Sequence, residues 1–395
     1  MLFSGCYDPP GFITRWTVAG DATARTITLP LVNTRTEGAL AYNCTVDWGD
    51  GSALSTVMGY NSANRVHTYA SNGTYNVEIK GTCEGWSFNN GGDKLKIVAV
   101  VNWGSAGVFN GFKYLAMAFY GCANLTSLGT GPILPSGTGV LSQGFSAFCS
   151  NCSALTSIPV DLFRQHTALT TNAFFYSFQG CTAITTVPTD LFRYNVNASS
   201  AAFTSTFNGC TSLATLPSGL FYYNTAVTTG GFDGTFYSCA KLTLPADLFF
   251  NSGDEATRFL NLQPNFTNCF SRATFAGTQG TAPDFWLCDY GETITLDVAP
   301  ATDWAGGDTI TGQTSAATAV VVAKVSALVY HIKKHFGTFT LGEVIGVTGV
   351  SAKLADQGAA SPTFVGKPYS AGCFGGAGNS IASLSNYASI PASWK

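Results

Sequence analysis

Phe178-Gln179-Gly180-Cys181-Thr182-Ala183-Ile184-Thr185-Thr186-Val187-Pro188-Thr189-Asp190-Leu191-Phe192 is one unit of a pattern that runs through the middle of the chain. Six cysteines, Cys122, Cys152, Cys181, Cys210, Cys239 and Cys269, follow one another at intervals of 30, 29, 29, 29 and 30 residues. Just ahead of them Phe119, Phe148, Phe178, Phe207, Phe236 and Phe266 keep the same beat. Three residues after five of the cysteines stands an aliphatic side chain: Leu125, Leu155, Ile184, Leu213 and Leu242. Four units continue with a proline (Pro159, Pro188, Pro217, Pro245) and then a Leu-Phe pair, as in Leu162-Phe163, Leu191-Phe192, Leu220-Phe221 and Leu248-Phe249.

A fixed period of this length marks a repeat architecture, in which each unit buries its apolar face only against its neighbours. The short β-branched run Ile184-Thr185-Thr186-Val187 predicts one strand of a parallel sheet. The proline ends it and opens a helical turn at the Leu-Phe pair. Phe174 and Phe178 stand at i and i+4, as do Phe203 and Phe207, a spacing that puts both rings on one face of a helix. The expectation is therefore an α/β solenoid. Equally spaced thiols point the same way from unit to unit, whereas a disulfide needs converging Cβ vectors. Zinc-type pairs of Cys or His are missing apart from Cys149-x-x-Cys152, so small buried thiols filling a tight core are expected.

The unit Phe-x-Gly-Cys-x-x-Leu-Thr-x-x-Pro-x-x-Leu-Phe resembles the BspA-like leucine-rich repeats of bacterial and phage surface proteins. The stretch from Asp93 to Gly104 resembles the entry segment of that family, and the stretch from Cys373 to Lys395 its closing repeat. Ahead of the repeats, Thr26-Ile27-Thr28-Leu29 and Tyr75-Asn76-Val77-Glu78-Ile79 read as strands. Val46-Asp47-Trp48-Gly49-Asp50-Gly51-Ser52 reads as a hairpin turn, and His67-Thr68-Tyr69 lies downstream. These motifs resemble the PKD-like fold, an immunoglobulin-type β-sandwich often found next to BspA-like repeats. The resemblance implies a packing and hydrogen-bonding role for His67. Asp50 and Ser52 are expected to satisfy turn amides rather than hold calcium.

Residues 288–365 break the rhythm. Gly307-Asp308-Thr309-Ile310-Thr311-Gly312 and Gly337-Thr338-Phe339-Thr340-Leu341-Gly342 alternate apolar and polar residues, and are similar to small β modules of phage fibre proteins. The fold class expected is thus β-rich and multidomain. It comprises a PKD-like sandwich (1–90), a BspA-like α/β leucine-rich-repeat solenoid (91–287), an inserted β-rich module (288–365) and a C-terminal capping repeat (366–395). In His331-Ile332-Lys333-Lys334-His335 the place that a metalloprotease helix gives to Glu is Ile332, and the Val-rich flank reads as strand.

Charged residues make up 10% of the chain, well under the roughly 25% usual for globular proteins, so Ser, Thr, Asn and Gly must carry the polar surface. A net charge of −3 with scattered basic residues argues against nucleic acid as a partner. No run is long and apolar enough for membrane insertion. The first residues hold neither a basic nor an apolar region, so no secretory signal is expected. No nucleophile stands in a recognisable triad context, Gly-x-Ser-x-Gly is missing, and phosphate loops are missing too. The expectation is no enzyme, no catalytic residues, no cofactor and no metal. A surface-type protein without an export signal reads as a bacteriophage virion component, a fibre, spike or head decoration, displayed in many copies or as a homo-oligomer. Its partners would be other virion proteins and a host-surface protein or glycan. The alternative is an adhesin of the bacterial cell surface. The exposed row that follows the Leu-Phe pairs, Arg164, Arg193 and Tyr222, is the candidate ligand-facing surface.

Overall fold

The computed structural model describes residues 9–33, 39–136, 144–260, 262, 264–273, 280–337, 339–340, 342–347, 350–353, 370, 372–375 and 381–395. The N-terminal part is organised by β1 (Phe12–Val18), whose residues alternate between a buried face and a more open one. Around it lie β2 (Thr26–Thr28), β3 (Tyr42–Asp47), β4 (Ser55–Val57), β5 (Val66–Thr68), β6 (Gly73–Cys83), β7 (Ile97–Trp103) and β8 (Ser127–Thr130). One sheet has the order β4-β3-β6-β1-β7-β8, and β2 pairs with β5 in a second, two-stranded sheet. β1 runs antiparallel to β6, with Trp16 opposite Tyr75, while β8 runs parallel to β7, with Ala99 opposite Ser127. That last strand comes from the first repeat unit, so the sheet flows into the repeats. Phe12 marks the join: its ring stacks on Trp103 at 5.5 Å and meets Trp86 and Phe112 edge-on at 5.2 and 5.0 Å.

The expected α/β leucine-rich-repeat solenoid does not form. Among the described residues helix is confined to short 3-10 turns, about 4%, and the three sheets are open and build no solenoid. The expected parallel strand forms in the first unit as β8, and in later units is reduced to isolated bridges such as Thr186 to Thr215 and Thr215 to Thr243. The reason the predicted helices fail lies in the partners of the backbone amides. The N–H groups of Asn172, Phe174, Tyr176, Phe178 and Gly180 donate to the carbonyls of Ser200, Ala202, Thr204, Thr206 and Asn208 in the next unit, at 2.8–3.0 Å. The intervening amides, such as Ser177, donate three residues back, to Phe174. Asn172, Tyr176 and Gly180 all have left-handed backbones (φ +55°, +57° and +69°), and Ala201, Ser205 and Gly209 repeat this in the following unit. A left-handed residue at every fourth position breaks an α-helix. It leaves Phe174 and Phe178 on one side of a ribbon of fused turns, which explains how the i, i+4 spacing was right and the helix was not.

Four ladders then run from unit to unit. Rings stack in three rows: Phe145, Phe174, Phe203, Phe232 and Phe266 at 5.5–5.9 Å, Phe178, Phe207, Phe236, Phe270 and Phe374 at 5.3–5.7 Å, and Phe163, Phe192, Phe221 and Phe249 at 5.0–6.3 Å. Each buried ring is worth about 2–3 kcal/mol. The thiols of Cys152, Cys181, Cys210 and Cys239 donate to the carbonyls of Phe119, Cys149, Phe178 and Phe207 at 3.0–3.1 Å. Ser177, Thr206 and Thr235 donate their hydroxyls to Phe145, Phe174 and Phe203. The side-chain amide of Asn195 reaches the carbonyls of Phe163 and His166, and that of Asn224 reaches those of Phe192 and Asn195. Arg258 takes over this task one unit on, with Nη2 at 3.0 Å from the carbonyls of both Phe221 and Asn224.

The ladders also correct the sequence register at two places. The Cys149 amide donates to Ser177 as the Phe178 amide does to Thr206, so Cys149 rather than Phe148 holds the ring position of that unit. The Phe236 amide donates to Cys269, so Cys269 falls in the row of Thr206 and Thr235, not in the thiol row. Cys373 and Phe374 follow directly: the Phe270 amide donates to Cys373, and Ser271 donates to Gly375 across 104 residues of sequence. Trp394 closes this end, parallel to Phe285 at 5.7 Å.

Between these segments the chain leaves to form β9 (Glu292–Thr295), β10 (Thr309–Gly312), β11 (Thr318–Lys324), β12 (Val329–Phe336), β13 (Val344–Val347) and β14 (Val350–Lys353). Their sheet has the order β14-β13-β10-β11-β12-β9. It carries its own apolar cluster, including Ile294, Trp304, Ile310, Val321, Tyr330 and Ile332, separate from the cluster that runs from Phe12 to Trp394.

Candidate functional site: an arginine–tyrosine row and the groove at its end

The turn after each Leu-Phe pair is fixed from inside by Leu162-Phe163 or Leu191-Phe192, all buried, which leaves the next side chains facing outward. Arg164 and Arg193 are held there at 55% and 45% side-chain exposure. Each lies near the carboxylate three residues earlier, Asp161 at 4.0 Å and Asp190 at 3.5 Å. At such exposure an ion pair is worth little and serves mainly to orient the side chain. Each guanidinium also covers a tyrosine of the following unit, Arg164 over Tyr194 at 5.2 Å and Arg193 over Tyr223 at 4.9 Å. Such a contact contributes about 0.5–1 kcal/mol at an exposed site. Tyr222, the third residue of the expected row, packs edge-on against Tyr223 at 5.1 Å and is half-buried.

The structure thus brings all three expected residues onto one surface and adds Tyr194 and Tyr223, which sequence reasoning missed. The signal was present: residues 165, 194 and 223 recur at intervals of 29, one step after the row, as Gln, Tyr, Tyr. Gln165 in turn lines an open groove of about 510 Å³ between the end of β6 and the first units, with Thr82, Glu84, Asn110 and Ser136. Glu84 is buried, and its carboxylate accepts from the Ala41 amide at 2.7 Å, Lys113 at 2.8 Å and the Ser136 hydroxyl at 3.3 Å. Asn110 donates to the Thr82 hydroxyl at 2.7 Å.

Other reactive side chains are engaged elsewhere. Burial pushes the Cys210 thiol up to about 12, and burial drives Cys181, Cys239 and Cys373 well above the ordinary thiol value. Nucleophilic chemistry needs the thiolate, so these thiols serve as packing and hydrogen-bond donors. His67 stacks on Trp48 at 4.8 Å and pairs with Asp50 at 2.7 Å. Burial raises the Asp50 carboxyl, but hydrogen bonds from Ser52 and His67 outweigh it and hold the group at about 2. Asp47 and Asp50 accept the amides of Gly49 and Ser52, as turn residues do. His331 and His335 both lie on β12, where they pair with Asp289 at 2.9 Å and Glu292 at 2.7 Å. Among the described residues no three His, Cys, Asp or Glu side chains gather so as to hold a metal ion, and no helix is long and apolar enough to cross a membrane.

Comparison with protein-family models, with curated proteins and with solved structures gave no match. The geometry therefore speaks alone: a periodic surface of guanidinium, carboxylate and phenol groups leading into a groove of mixed polar and apolar lining. Such a surface can stack on rings and form paired hydrogen bonds.

Proposed function

We propose that the protein is a displayed binding and structural component of a bacteriophage particle, a fibre, spike or head decoration, that acts by adhesion and not by chemistry. The observation that carries this reading is the exposed row in which Arg164 and Arg193 cover Tyr194 and Tyr223 of successive units. Tyrosine and arginine are the residues on which binding surfaces concentrate their energy. Here they are held in fixed geometry by buried ladders rather than by loops. The charged fraction of 10% and the Ser, Thr and Asn surface suit an extracellular particle, and the sequence resemblance to surface-protein repeats points the same way. The protein would be present in many copies, with neighbouring particle proteins and a host-surface protein or glycan as partners.

Two measurements test this. Mass spectrometry of purified particles should find the chain as a multicopy component. The triple variant Arg164→Ala/Arg193→Ala/Tyr223→Ala should melt like the parent and lower adsorption to host cells by about tenfold or more, the equivalent of 1.4 kcal/mol. Absence from particles, or undiminished adsorption by the triple variant, would overturn the proposal.

A further inference from the structure

We propose that the row and the groove form one continuous track for a linear, uncharged polysaccharide, with sugar rings lying along the stacked Arg193–Tyr223 and Arg164–Tyr194 pairs and the chain running past Gln165 into the groove. This rests on the adhesive reading above and names its ligand class.

Three observations converge. The first is continuity. Gln165 precedes Tyr194 by one repeat interval of 29 residues and also lines the groove, so the row and the groove share a residue. The second is spacing. Successive units are 5.0–6.3 Å apart, measured by their stacked rings, which brackets the length of one pyranose residue in an extended chain. A periodic row of this pitch meets a periodic ligand in the same way at every step. A protein partner with an irregular surface offers no such repeat.

The third observation is charge. Along the track the ionic groups pair off: Arg164 with Asp161, Arg193 with Asp190 and Lys113 with Glu84. The guanidiniums are further occupied by tyrosine rings, so the surface has no excess charge with which to collect a polyanion. What remains is chemistry suited to hydroxyl groups, which both donate and accept. The amides of Asn110 and Gln165 and the hydroxyl of Thr82 do the same. Leu134 and Pro135 in the groove wall supply apolar surface for the C–H faces of a sugar ring.

The test is calorimetric titration of the full-length protein with linear hexasaccharides. The neutral probes are cello-, malto-, manno- and chito-oligomers, and the acidic probes are galacturonate and sialate oligomers, each at about 0.05 M and about 0.5 M salt. A neutral hexasaccharide should bind, more tightly than its trimer, with less than about a twofold change in Kd between the two salt concentrations. Tyr223→Ala in the row and Asn110→Ala in the groove should each weaken it about tenfold, while Tyr223→Phe keeps the ring and the affinity. Thermal melting of each variant separates lost binding from lost folding.

Binding of acidic oligomers alone, with strong salt dependence, would overturn the proposal. So would binding that responds to Tyr223→Ala but not to Asn110→Ala, since the row would then act without the groove. If no oligosaccharide binds while the row triple variant still lowers particle adsorption, the polysaccharide track fails and the adhesive reading stands. If adsorption is also unchanged, both fail.

Discussion

His166 shows how much a single side chain costs when the stack buries it. Its Nε2 lies 3.1 Å from the carbonyl of Ile133, at the position where the next two units place Asn195 and Asn224. Burial pushes the imidazole down to about 4, against a hydrogen bond that raises it. In the unfolded chain histidine titrates near 6.5 and there takes up its proton first, so the folded state keeps its full stability above 6.5 and loses it as pH falls towards 4. The loss amounts to roughly 3 kcal/mol once the pH is below 4. His166→Asn should preserve the ladder and remove this slope, which denaturant melts between neutral and acidic pH would show. An unchanged slope would mean that another group carries the acid sensitivity. Ala201 presents a second test at this scale. Its φ of +51° strains an L-residue, and Ala201→Gly should raise stability by about 0.5–1 kcal/mol despite the added freedom of the unfolded chain. A lower Tm in this variant would refute the strain.

At the scale of the element, the unit is a ribbon of turns whose amides look forward to the next unit. Asn224→Ala should cost about 2–3 kcal/mol, because it removes two bonds and strips the buried carbonyls of Phe192 and Asn195 of a donor. A urea midpoint within error of the parent would show that the ladder is ornamental. Here the sequence was partly legible. The rings, the thiols and the outward row were readable because each depends on spacing alone. The α/β reading failed because nothing local distinguishes Tyr176, Ala201 or Ser205 from helical residues; their left-handed backbones follow from hydrogen bonds to a unit 28 residues away. The slips at Phe148 and Phe266 share that origin, since Cys149 and Phe270 are assigned by which amide meets which carbonyl. Tyr194 and Tyr223 were visible in the repeat. The groove was not, because it joins β6 to units that lie tens of residues further on.

Over the whole molecule, one apolar cluster extends from Phe12 through the units to Trp394, and a second fills only the sheet of β9 to β14. Calorimetry should therefore resolve two transitions. Ile332→Ala, fully within the smaller cluster, should lower the minor one by the equivalent of about 2–5 kcal/mol and leave the major one in place. A single transition shifted as a block would show that the His331–Asp289 pair and the packing of Phe336 against the larger cluster couple the two parts tightly.

The ladders have a consequence for how such a gene can change. Because every rung is made with the same atoms one interval away, slippage that adds or deletes a coding segment of 29 codons leaves matched faces on both sides of the scar. An odd codon does not: the 30-residue interval ending at Cys152 already sets a thiol, Cys149, where its neighbours carry a ring. Related lineages should accordingly differ in length by whole intervals, lengthening or shortening the adhesive face without redesigning it.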